Sequence, residues 1–204
     1  MPQSFGQFKK LLKLYLDDNQ LTVIPAFIKN LVSLMDLSMA VNKIKEIEDD
    51  ALESLGNLAM LDLHQNNLQA YSSVPSSPKL DQILLAYNQL NHIENLERAS
   101  NITVLDLHNN KLDKLPESVC SLYNMKTLTI SNNNLSDIDP KISLIDSLVR
   151  IAIEGNPLRS IKPAMRNAGA NELKEFLKMR IGNEDIAKED KKQAMVLKRP
   201  GATI

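Results

Sequence analysis

The sequence predicts an α/β solenoid: a right-handed horseshoe whose concave side is a parallel sheet of about seven short strands. Three observations carry the prediction. One template, L-x-x-L-x-L-x-x-N-x-L, recurs seven times along the 204 residues. Its asparagines stand 23, 24, 22, 22, 23 and 23 residues apart, a period typical of stacked structural repeats. Between templates, apolar residues recur three apart and supply a path back to the next strand.

Each template begins as a strand. In Leu11, Leu14, Leu16, Asn19, Leu21 the L-x-L core alternates, so its leucines fall on one face. The same five positions recur with small exchanges such as Met39, Ile44, Ile83 and Ile130. The asparagines are Asn19, Asn42, Asn66, Asn88, Asn110, Asn133 and Asn156. An asparagine amide carries two donors and an acceptor, which suits a buried turn with backbone groups to satisfy. A ladder of these amides is expected, each bonding its own turn and the next coil.

The return half of each coil reads L-x-x-I/L-P-x-x-I/V-x-x-L. Leu21, Ile24, Pro25, Ile28 and Leu31 give one instance, and Leu112, Leu115, Pro116, Val119 and Leu122 another. This spacing predicts a turn followed by 3₁₀ or α-helix on the convex side. Ser72-Ser73-Val74-Pro75-Ser76-Ser77-Pro78 departs from it and predicts an extended or irregular segment. A single coil buries too little apolar surface to fold alone, so neighbours and sealed ends are required.

The opening residues Met1-Pro2, Phe5, Phe8 and Leu11 match the proline and apolar positions of a convex segment. They read either as a cap or as part of a longer repeat array. The solenoid is expected over 1–163 and a capping helix over 164–182. Pro163 opens a short turn that Gly169 closes, and Asn171 is the expected N-cap of the helix that follows. Leu173, Phe176, Leu177 and Ile181 share one face of it. Residues 183–204 read as a charged, mobile tail with an apolar patch at Met195-Val196-Leu197.

Composition narrows the function class. With 43% hydrophobic residues spread evenly, disorder is excluded. A net charge of −1 argues against general nucleic-acid affinity. Residues 1–158 hold 13 basic and 19 acidic side chains, against 11 and 6 in residues 159–204, so an acidic body precedes a basic end. One cysteine, Cys120, rules out an internal disulfide framework and points to a reducing, cytoplasmic setting. No stretch of 18 apolar residues is present to insert into a membrane. The sequons at Asn101 and Asn134 read as accidents.

These repeats resemble the intracellular leucine-rich-repeat proteins of the Ras-group type, on their period and the L-P-x-x-I convex pattern. Glu154-Gly155-Asn156-Pro157-Leu158-Arg159-Ser160-Ile161-Lys162, with the helix Glu172–Ile181, is similar to the closing segment of the leucine-rich-repeat-containing protein forty group. The resemblance covers about residues 1–181. It implies a cytosolic scaffold or signalling adaptor without enzymatic activity, with a small GTPase or a phosphatase as partner. Ile93, Leu96 and Ala99 follow a shorter convex pattern without the proline, which weakens transfer of a Ras-binding role.

Function is expected on the concave face, where the variable strand positions stand. Met60, Leu84, Ala86, Tyr87 and Val104 are expected to be exposed together, rimmed by Asp62, His64, Asp106 and His108, with Tyr15 on the first strand. An apolar centre with a polar rim describes an interaction surface. Two histidines and two carboxylates also suit zinc. However, D-L-H-x-N is a small variation on the repeat strand, and no third histidine shares the column, since His92 lies beyond its strand. No metal, cofactor or catalytic site is expected, and no phosphate-binding glycine loop or nucleophile elbow is present. Two functional readings follow: a protein-binding scaffold, or a regulatory repeat segment of a larger multidomain signalling protein.

Overall fold

The structure is a computed structural model that describes residues 3–48 and 50–182, together with Ile186, Lys191 and Ala194. The expectations for Met1-Pro2 and for the apolar patch of the tail lie outside the described residues.

Each template forms a three-residue strand. These are β1 (Lys13–Tyr15), β2 (Asp36–Ser38), β3 (Met60–Asp62), β5 (Gln82–Leu84), β7 (Val104–Asp106), β8 (Thr127–Thr129) and β9 (Arg150–Ala152). They make one parallel sheet in the order β1-β2-β3-β5-β7-β8-β9, with the central leucine or isoleucine of each strand opposite that of its neighbour. At about 4.8 Å per spacing, the sheet is roughly 30 Å long. Leu37, Leu61, Ile83, Leu105 and Leu128 are fully buried. The seven-stranded solenoid is therefore the fold that the repeat spacing specifies.

The convex side is built from 3₁₀ turns. Pro25 and Pro116 stand just before Ala26–Asn30 and Glu117–Ser121, where a fixed φ and a missing N–H cost nothing. Gln3–Gln7, Leu96–Ala99 and Pro140–Leu144 are the other 3₁₀ turns among the described residues. The serine-rich segment instead runs extended. It follows β4 (Ala70–Tyr71), which pairs in parallel with β6 (His92–Ile93) as a second, two-stranded sheet. Ser73 and Ser77 are buried there and donate to backbone carbonyls of the preceding coil.

The asparagines hold the coils together. Asn110 Nδ2 donates to the Leu107 carbonyl of its own turn at 3.0 Å and to the Leu85 carbonyl at 3.0 Å. Its Oδ1 accepts from the Leu90 amide at 2.9 Å. Asn42, Asn66, Asn88, Asn133 and Asn156 repeat the arrangement and are all buried. The expected bond to the following coil is corrected: each amide reaches back to the preceding one. The carbonyls at Leu16-type positions face the following coil, so that coil's asparagine satisfies them. Asn19 sits in the first coil and is exposed. Among the described residues it bonds the Leu16 and Asp17 carbonyls of its own turn.

At the far end two helices follow, α1 (Pro163–Arg166) and α2 (Ala170–Lys178). The N-cap of α2 is Gly169, and Asn171 lies inside the helix, because the chain is already extended at Gly169. Leu173 and Leu177 are buried against the last coil, whereas Phe176 and Ile181 are half-buried. Lys174 is buried as well. Its ammonium donates to the carbonyls of Ile145, Asp146 and Leu148 at 2.7, 3.4 and 3.3 Å. No repeat coil covers those carbonyls among the described residues, and the lysine ammonium satisfies them instead. Arg180 adds a bridge to Asp137 at 3.0 Å.

Candidate partner-binding face

The sheet register lines the outward side chains into rows across the coils. Lys13, Asp36, Met60, Gln82, Val104, Thr127 and Arg150 form the first row. Tyr15, Ser38, Asp62, Leu84, Asp106, Thr129 and Ala152 form the second. Beyond the strands come Asp17, Ala40, His64, Ala86, His108, Ser131 and Glu154.

The next position in every coil is left-handed. Asp18, Val41, Gln65, Tyr87, Asn109, Asn132 and Gly155 have φ between 53° and 72°. That reversal turns the following asparagine inward. At Gly155 an added Cβ would lie 1.9 Å from Asn132 Oδ1, so a larger residue there would displace the Asn132 side chain. Asparagine and aspartate tolerate the conformation, but valine and tyrosine do not do so readily.

The expected apolar centre is only partly assembled. Tyr87 is 54% exposed, and Met60, Leu84 and Val104 are half-buried. Ala86 is not exposed: it is buried at 3%, a small side chain between the flanking histidine positions. Gln82 separates Met60 from Val104, and Leu84 stands between Asp62 and Asp106. The surface is a chequer of apolar and acidic positions, with Tyr87 as its exposed aromatic. Tyr15 is also 54% exposed, at the β1 end, with its hydroxyl 3.5 Å from Asp36.

Two Asp–His pairs flank Leu84. Asp62 Oδ1 accepts from the His64 amide at 3.0 Å and lies 2.8 Å from His64 Nδ1. Asp106 and His108 repeat this at 3.2 and 2.7 Å. Each carboxylate thus fixes a turn and an imidazole together. Among the described residues no three or more His, Cys, Asp and Glu side chains come together to hold a metal ion. His92 is on the other sheet, beside Glu94 at 2.7 Å. Tyr87 stands edge-on to the His108 ring.

The fold has named counterparts. A model described as "Leucine rich repeat" matches residues 32–90 and 100–158, and a second one matches residues 10–31. The chain belongs to the leucine-rich-repeat family. Keratocan of Gallus gallus is 48% identical over 63 residues, which are 31% of this chain and 17% of keratocan. The chain thus spans a small part of the curated relatives it matches. An internalin, inlF, from Listeria monocytogenes superposes with a TM-score of 0.67 at 18% identity, over 80% of this chain and 47% of that one. A plant peptide hormone receptor, RGFR1, in complex with RGF2 gives 0.65 at 28% identity, over 76% of this leucine-rich-repeat chain and 26% of the receptor.

Two features of the face escaped the sequence. The left-handed column has a weak signal, the Asn, Asp and Gly residues just before the template asparagine. The burial of Ala86 has none within its own coil, because it depends on neighbours one coil away on either side.

Proposed function

We propose that this leucine-rich-repeat chain is a protein-binding scaffold or signalling adaptor that holds its partner on the concave face. The carrying observation is Tyr87. It is a bulky aromatic in a left-handed conformation, left 54% exposed in the same coil as half-buried Leu84. Asp18, Asn109, Asn132 and Gly155 suit this backbone better; Val41 is strained in the same way but carries no aromatic ring. Exposed aromatics at the centre of a surface are common anchors for partners. The receptor complex with RGF2 supports a polypeptide partner.

The chain acts as a binding module and not as an enzyme. Its setting is the cytoplasm, a reading supported by a single buried cysteine and by the resemblance to the Ras-group repeats. That resemblance makes a small GTPase or a phosphatase the first partner to test. A second reading is a regulatory repeat segment of a larger multidomain signalling protein.

The test is quantitative capture by the wild-type chain beside a Leu84→Arg/Tyr87→Arg variant. The variant should lose its captured partner while keeping its circular dichroism and urea midpoint. Undiminished capture by the folded variant refutes concave docking.

A further inference from the structure

The middle of the concave sheet carries two carboxylates whose described side-chain partners are the His64 and His108 rings. The outward positions of β3, β5, β7 and β8 include Asp62 and Asp106 and no lysine or arginine. At the β1 end, Lys13 is already paired with Asp36 at 2.6 Å. Arg150 stands on β9, at the opposite edge. All four hydrogen bonds described for Asp62 and Asp106 use Oδ1, so the second oxygen of each carboxylate remains to accept a donor.

We infer that this face docks an extended cationic segment of a partner protein, with an arginine or lysine seated over Leu84 between Asp62 and Asp106. The inference rests on the concave docking proposed above and adds the chemistry of the occupant.

The register supplies the geometry. Asp62, Leu84 and Asp106 lie in one row on three successive strands. The two carboxylate positions are therefore two spacings apart, about 10 Å. A guanidinium presents donors along both edges and can meet a carboxylate on either side. Its methylene stem rests on the half-buried Leu84. Tyr87, farther along the same coil as Leu84, offers a ring face to a cation or to an apolar neighbour in the segment. The Asp–His bonds hold both carboxylates in place before the partner arrives, which lowers the ordering cost of binding. An acidic or phosphorylated segment would meet like charge here and is disfavoured.

A randomised peptide display library tests the inference on three immobilised, folded chains: wild type, Asp62→Asn/Asp106→Asn and Leu84→Gln/Tyr87→Asn. Asparagine keeps an acceptor for the His64 and His108 amides, so the first variant removes charge and spares the turns. Peptides selected on wild type should be enriched in arginine or lysine beside apolar residues. As fluorescein-labelled peptides they should weaken with added salt. On the charge variant they should bind about tenfold or more weakly, as expected for lost charge-assisted bonds. Selected peptides without basic residues, or with equal affinity for the charge variant, overturn the cationic occupant. If they lose binding to Leu84→Gln/Tyr87→Asn all the same, concave docking survives. Unchanged binding to Leu84→Gln/Tyr87→Asn overturns both readings, as does a library that yields no binder.

Discussion

Tyr87 meets His108 edge-on, with ring centroids 4.7 Å apart and planes at 79°. The contact links neighbouring coils and steadies an aromatic whose backbone, at φ 55°, is strained. Edge-on pairs contribute about 0.5–1.5 kcal/mol, comparable to the cost of a left-handed bulky residue, about 1–3 kcal/mol. Tyr87→Asn should therefore leave chemical stability unchanged or slightly raised while partner binding falls at least severalfold. Urea unfolding beside a binding isotherm checks this. A large loss of stability would make Tyr87 a structural residue.

The asparagine ladder predicts a graded response along the chain. Asn110→Ala removes an acceptor for the Leu90 amide and a donor for the Leu85 and Leu107 carbonyls, all in the interior. The Leu90 amide is left unpaired, at about 1–3 kcal/mol, while the Leu85 and Leu107 carbonyls keep donors from Asn88 and Asn133, so about 2–4 kcal/mol should be lost in all. Asn19→Ala, at an exposed position bonding only its own turn among the described residues, should cost about 1 kcal/mol. Equal losses in equilibrium unfolding would contradict the bonding described for the two positions.

Val41 holds φ at 53°, and its side chain is branched at Cβ. Coils with Asn109 and Asn132 meet the same backbone at lower cost. Val41→Asn should stabilise the chain by about 1 kcal/mol, read as a higher thermal midpoint. A lower midpoint would show that packing of the valine outweighs its strain.

Asp137 ties the end of the capping helix to the solenoid. Partial burial raises its pKa, but bonds from Arg180, Ser160 and the Ile138 amide outweigh that, and the carboxyl sits below its ordinary value of 3.8. A depressed carboxyl stabilises the fold above the unfolded pKa, and that contribution is lost as pH falls through the folded one. The stability gap between wild type and Asp137→Asn should be constant above about pH 5 and close in acid. A gap independent of pH would remove the ion pair from the cap's stability.

Much of this was legible in the sequence. The template placed all seven strands, because a period of two around L-x-L admits one inward face. The prolines at 25 and 116 placed two 3₁₀ turns, and the break at Ser72–Pro78 marked the extended convex segment. What stayed hidden depends on contacts between coils. Asn110 could not show from its own coil that it reaches back to Leu85. Gln82 divides Met60 from Val104 only once the register is known. Lys174 reads as a solvated charge on a helix, yet its ammonium seals the carbonyls of the last coil. Burial of its stem and head lowers its pKa, with smaller opposing and reinforcing effects from nearby charges.

Site-specific photocrosslinking tests concave docking most directly. A benzophenone amino acid replaces Tyr87 in one chain and Ser121, on the exposed convex turn, in another. Concave docking predicts a partner adduct from position 87 and none from position 121. An adduct from 121 alone would place the partner on the convex side and contradict it.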